Sequence, residues 1–452
     1  MAHIVRRGGS GSGSGSGSIS GMNMGVWAFV GDSFTAQAIN SQTSVLWNWE
    51  ALGYITALRQ VSRQRIRVPY FEVEDDGASG QDPVAGYVWA KSGKASDWFV
   101  AEGYHISAAA TDAGIVFAPI STNDTSQAVA FATSVANYTL IWQTLLNAGK
   151  TVVTMPILPR VLSASTTTIR NASARLNAWA RNYAQEHGII WVDPTPRFID
   201  ATNADGDPLA SMVRDASLHP SGLGNFTIAD YIWEATEHLV PAFDNRFMNI
   251  SHVYHSTQNP AGNLLVNGLM AGTGGTITAG SGGVAMSGQL ADSGTAQRGA
   301  TTSTGSVAAS DTSIGSLTCV WSKVARTDGE VGTWQQGVVS GTPDAVKELQ
   351  LIQAITIGNV AAGDSLGLAL GYLYDAATDA TVRDGDRANA TGSSVIYLTT
   401  DARSLVYETT EFTLTATPAA LTAYLLVQCQ ASVAAALTFR IGRVKLYKIE
   451  TV

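Results

Sequence analysis

At 452 residues the chain exceeds the roughly 100–200 residues of a usual domain, so two or three folding units are expected, two being the simplest division. Hydrophobic residues make up 45% of it and charged residues 14%, a balance that supports packed cores and excludes a wholly disordered chain. Lys and Arg number 27 against 36 Asp and Glu, a net charge of −9 with no basic stripe to neutralise phosphates, so nucleic acid is not an expected partner.

The chain opens with MAHIVRR and runs at once into GGSGSGSGSGS at residues 8–18. No apolar segment follows the early positive charges, so no secretory signal is expected. Residues 1–21 have the composition of a flexible coil, a tether or tag that is either natural or engineered. No apolar run approaches the roughly 18 residues of a membrane span, so a soluble protein is expected, acting outside a cell or on a virion.

Residues 22–243 alternate short apolar runs with helical periodicity, which predicts a three-layer α/β domain around a parallel sheet of the flavodoxin-like kind. The strand candidates are GVWAFV (25–30), RIRVPY (65–70), AGIVFAPI (113–120), TVVTMPIL (151–158) and IIWVD (189–193). Helices are expected over 45–60, 127–148 and 172–187, with Gly149 and Gly188 as stops for the last two. A linker over 244–259 follows. From 260 to 452 short Thr/Val/Leu/Ala runs broken by Gly, Ser and Asp predict an all-β sandwich of jelly-roll type. Cys319 and Cys429 lie there, either as two buried thiols or as one long-range disulfide. His105, His187, His252 and His255 have no Cys or carboxylate at metal-ligand spacing, so neither a metal nor an organic cofactor is expected.

Three segments carry chemistry. The first strand ends in Gly31-Asp32-Ser33, and in a parallel sheet ligands bind beyond the carboxyl ends of strands. The third strand candidate ends in Ser121-Thr122-Asn123-Asp124, which sets an amide donor at the same edge. Asp215-Ala216-Ser217-Leu218-His219 then precedes the last helix. A serine hydroxyl becomes a nucleophile when an imidazole takes its proton and a carboxylate orients the ring, and the chain order here is Ser, Asp, His.

In these motifs residues 24–240 resemble the SGNH hydrolases, also called GDSL-type esterases. The resemblance implies that Ser33 is the nucleophile, His219 the base and Asp215 the acid. It also implies an oxyanion hole built from Ser33, Asn123 and a glycine N–H, Gly93 in AKSGKAS or Gly80 in GASGQD. Two departures stand out: Ser121 replaces the glycine of the GxND motif, and Asp215 lies four residues before His219 instead of three. Asp32, Trp98 and Asp124 are expected to contact substrate; Trp98, with Trp89 and Tyr87, flanks the Gly93 segment and lines a pocket or belongs to the core.

The family resemblance implies ester hydrolysis without fixing the ester. A sandwich beside a hydrolase resembles a carbohydrate-binding module, which favours an O-acetyl esterase acting on a glycan, with oligomers open. The alternatives are a bacteriophage tail protein that grips a host surface polysaccharide, a lipase or thioesterase for longer acyl chains, and a catalytically dead relative kept for binding.

Overall fold

The computed structural model describes residues 23–36, 53–62, 65–69, 71–75, 81–202, 206–213 and 218–241, together with backbone strands between 274 and 448. The first strand, β1 (Asn23–Gly31), is apolar on both sides because both sides are covered. Val26, Ala28 and Val30 point into one core with Trp142 and Leu176, while Trp27 and Phe29 point into the other.

Four further strands complete a parallel sheet: β4 (Val88–Ala90), β5 (Ala113–Phe117), β6 (Thr151–Thr154) and β7 (Ile190–Trp191), in the order β4-β1-β5-β6-β7. Helices α4 (Tyr104–Ala110), α6 (Phe131–Asn147) and α7 (Thr167–His187) cover one face. On the other, α2 (Tyr54–Val61) packs against α9 (Gly222–Thr236), and the Tyr54 ring lies 5.1 Å from that of Phe117 and 6.3 Å from that of Phe29. Trp142 is fully buried and its Nε1–H donates to Ala118 O at 3.0 Å. Burial of a side chain of that size contributes about 3 kcal/mol, and the hydrogen bond keeps its polar edge from offsetting the gain.

The expected parallel α/β domain is present, with local corrections. Of the strand expected at 65–70, the described residues 65–69 form no strand: Arg67 makes one parallel bridge to Val26, and Pro69, which has no N–H, cannot extend the ladder. The place beside β1 passes to β4, preceded by an antiparallel hairpin of β2 (Phe71–Asp75) and β3 (Gln81–Gly86) that the apolar pattern did not announce. Strands β5 and β6 stop short of Pro119 and Pro156, and β7 spans only two of its five expected residues. Helix α7 begins five residues earlier than expected because Thr166 Oγ1 caps it, accepting from Ile169 N at 3.3 Å. Gly188 (φ 72°) ends it in the left-handed region, and Gly149 (φ 77°) does the same after α6.

Among the described residues beyond 273, thirteen strands pair in one six-stranded and one seven-stranded sheet. The jelly-roll packing, the linker over 244–259 and the pairing of Cys319 with Cys429 lie outside the described residues, as do residues 1–22.

Candidate active site

The sharp exit from β1 creates the first part of the site. Asp32 Oδ1 accepts from Phe34 N at 3.1 Å and its carbonyl from Thr35 N at 3.0 Å and Ala36 N at 2.9 Å, so the chain enters α1 (Ser33–Ala36) in one residue. Ser33 thereby becomes the first helical residue at the carboxyl edge of β1, 8% exposed. Among the described residues its backbone N–H donates to no protein acceptor, as the first amides of a helix do not. Gly31 is required sterically, since a Cβ there would lie 2.2 Å from Thr35 Oγ1, which is held 2.6 Å from the Tyr54 hydroxyl.

The second part arrives 186 residues later. His219 Nε2 lies 3.1 Å from Ser33 Oγ, and the imidazole meets the Phe34 ring edge-on at 5.6 Å between centroids. Its loop is pinned immediately downstream: Pro220 bridges Val213, Ser221 N donates to Met212 O at 2.9 Å, and Ser221 Oγ caps α9 by accepting from Gly224 N at 3.1 Å. Asp215 lies outside the described residues, as does Gly80.

The third part gathers around a buried carboxylate. Asp32 Oδ2 accepts from Ser121 Oγ at 2.8 Å and from Thr122 N at 3.0 Å, joining the end of β1 to the loop after β5. Ser121 Oγ also accepts from Asn123 N at 3.1 Å and lies 3.1 Å from Lys94 O. Asn123 Nδ2 donates one hydrogen to Lys94 O at 3.0 Å, which leaves its second hydrogen for another acceptor. Gly93 sits one residue before Lys94 with φ 71°, exposed, and its N–H has no acceptor among the described residues. The Ser33 and Gly93 amides and the Asn123 amide are therefore linked through Asp32, Ser121 and Lys94.

Burial raises the Asp32 carboxyl above its ordinary value, opposed by bonds from Ser121, Phe34 and Thr122 and by the charge of His219. Asp124 is raised by burial too, against bonds that include Ser96 N and Ser96 Oγ, both 2.7 Å away. Both aspartates were expected to touch substrate; both are buried, and their oxygens face protein donors. Trp98 is partly buried against Phe99 and Tyr104, with Lys94 Nζ 5.8 Å from its ring centroid. Trp89 is a core residue.

The comparisons with known proteins fall on the same half of the chain. Residues 29–225 match the model of the GDSL-like Lipase/Acylhydrolase family, a span that begins inside β1 and ends in α9. Residues 29–225 form a GDSL-like acylhydrolase domain. With that family and a Ser–His contact at the sheet edge, the protein is a carboxylic ester hydrolase. Solved structures similar to it include a GDSL-like lipase from Bacteroides thetaiotaomicron at 15% identity, covering 48% of this chain and 89% of that one with a TM-score of 0.34. A carbohydrate esterase family 3 protein from Talaromyces cellulolyticus is 18% identical, covering 48% of this chain and 99% of its own, with a TM-score of 0.33. A member of the lipolytic G-D-S-L family from Veillonella parvula is 15% identical over 46% and 96%, with a TM-score of 0.31. No curated protein matches the chain.

Sequence reasoning missed two features of the GDSL-like domain. Ser121, noted only as a departure, supplies the hydroxyl that links Asp32 to Asn123. Arg160 Nη2 donates to Thr122 O at 2.8 Å, to Thr122 Oγ1 and to Ser126 Oγ at 3.2 Å, bracing the residue before Asn123. Neither had a sequence signal, since each acts through a contact between distant loops. No group of three or more His, Cys, Asp or Glu side chains suited to a metal occurs among the described residues. Nor is any helix among them long and apolar enough to cross a membrane.

Proposed function

We propose that the GDSL-like domain is an O-acetyl esterase that removes acetyl groups from a polysaccharide, with Ser33 as nucleophile and His219 as general base. The observation that carries the catalytic part is the 3.1 Å separation of Ser33 Oγ and His219 Nε2, within reach of direct proton transfer. Ser33 Oγ bonds to the ester carbonyl carbon as its proton passes to Nε2. Charge that develops on the carbonyl oxygen is met by the N–H groups of Ser33 and Gly93 and by the second Asn123 Nδ2 hydrogen. The imidazolium returns the proton to the departing alkoxide as the ester C–O bond breaks, and water repeats the sequence on the acyl-enzyme to release acetate. Asp215 is the proposed partner that orients His219. The glycan part of the reading rests on chain organisation, a hydrolase domain followed by a long strand-rich half that we propose as a carbohydrate-binding domain over 260–452.

The test is hydrolysis of p-nitrophenyl acetate, butyrate and octanoate, with acetate release from acetylated xylan and bacterial capsule, by wild type and Ser33→Ala. The wild type should prefer acetyl and release acetate from a glycan, and Ser33→Ala should lose at least about 10³-fold in kcat. Equal rates for the two proteins would refute the nucleophile. A preference for octanoate would refute the acetyl assignment and favour a lipase or thioesterase.

A further inference from the structure

The turn that carries Gly93 is held from two sides, and one side is a buried ion pair belonging to the β2–β3 hairpin. Asp82, on β3, accepts from Ser92 N at 3.2 Å and from Ser92 Oγ at 2.8 Å, both through Oδ1. Its Oδ2 lies 3.4 Å from Lys91 Nζ, and the two side chains are only 4% and 9% exposed. From the opposite side Gln127 Nε2 donates to Gly93 O at 2.7 Å, and Asn123 Nδ2 donates to Lys94 O. Lys91 N donates to Gly31 O at 3.2 Å, which fixes the start of the turn to the strand end before Ser33.

The Gly93 N–H belongs to the peptide that follows Ser92. With Ser92 gripped at its N–H and hydroxyl and Gly93 gripped at its carbonyl, that peptide plane loses its freedom to rotate. A Cβ on Gly93 would meet nothing within 4 Å, so crowding does not hold the turn in place. The φ of 71° favours glycine but does not choose the direction of the amide. We infer that Asp82, with Lys91 as its counter-ion, is a positioning residue that aims the Gly93 N–H at the substrate carbonyl oxygen. The inference rests on the reading of Gly93 as an oxyanion donor. A buried ion pair is an expensive way to add stability, since well-packed apolar residues of similar volume often do as well, so its gain here is geometric.

Ser92→Ala removes the hydroxyl bond and leaves the ion pair intact, whereas Ser92→Thr keeps the hydroxyl. Asp82→Val combined with Lys91→Met removes the Asp82 side of the clamp together with its counter-ion. On p-nitrophenyl acetate, Ser92→Ala should lose about tenfold in kcat with KM within about twofold of wild type, and Ser92→Thr should restore most of it. The double variant should lose about 100-fold in kcat, again without a matching rise in KM. Thermal midpoints of all variants exclude a loss caused by unfolding, and the two Ser92 variants decide the matter if the double variant does not fold. Wild-type kcat in folded Ser92→Ala, or a loss confined to KM, would overturn the inference. A Ser33→Ala protein with wild-type rates would overturn the underlying reading and the clamp with it; an inactive Ser33→Ala beside a fully active Ser92→Ala would sink the clamp alone.

Discussion

Replacing Gly31 with alanine tests whether the strand-to-helix exit holds Ser33 where it must be. The added Cβ would sit 2.2 Å from Thr35 Oγ1 and 3.0 Å from Thr35 Cβ, against an ordinary contact that starts at 3.4 Å, so the turn and the helix must part by about 1.2 Å. Thr35 cannot swing away freely, because it is fully buried and bonded to the Tyr54 hydroxyl. Overpacking of this kind costs about 1–3 kcal/mol, which for a domain of roughly 150–250 residues lowers Tm by about 2–12 °C. Ser33 lies two residues away, and a displacement of about 1 Å at a reacting group costs on the order of 100-fold in rate. The assay is thermal unfolding with p-nitrophenyl acetate turnover for Gly31→Ala, Thr35→Ala and the double variant. The double variant should recover part of the loss, with a coupling energy of about 1–2 kcal/mol. If Gly31→Ala kept its Tm within about 1 °C and its kcat within about twofold, or if the two effects simply added, the steric argument would be wrong.

Ser121→Gly restores the family's usual residue but removes the hydroxyl between Asp32 and Asn123, so kcat should fall about tenfold with little change in KM, measured by steady-state kinetics. Arg160→Lys replaces a planar fork bonded to Thr122 and Ser126 with a single ammonium, and should lower kcat several-fold, about fivefold, while leaving the fold intact by circular dichroism. Asp124→Ala strands the Ser96 N–H and should destabilise the domain by about 1–3 kcal/mol in urea unfolding. Burial holds the His105 imidazole below its ordinary value of 6.5, opposed by a backbone bond with Phe99. The unfolded chain therefore takes up that proton first: the contribution is fully present above pH 6.5 and is lost as the pH falls toward the lowered value. Tm measured between pH 5 and pH 8 should fall on acidification less steeply in His105→Gln than in wild type.

The catalytic half was legible where local chemistry sets local structure. The apolar run into Gly31-Asp32-Ser33 marks a strand that stops and turns, because aspartate caps a helix and glycine tolerates the close approach of Thr35. Gly149 and Gly188 end helices because only a residue without Cβ takes a left-handed φ at little cost. The segment at 65–70 misled because its composition suits a strand while Pro69 and the nearness of β4 decide the pairing.

What the sequence by itself determined is the chemistry on offer: a serine, a histidine and an amide side chain in an order that fits acyl transfer, on a chain able to bury a parallel sheet. Which groups those residues lean on was decided only by tertiary structure. Asp32 and Ser121 are 89 residues apart, and Asp82 owes its place to a hairpin folded against the β4 loop. Hydrogen bonds of 3 Å between distant loops leave no period in a sequence; they exist because the packed sheet brings its strand ends together and buried polar groups must then find partners there.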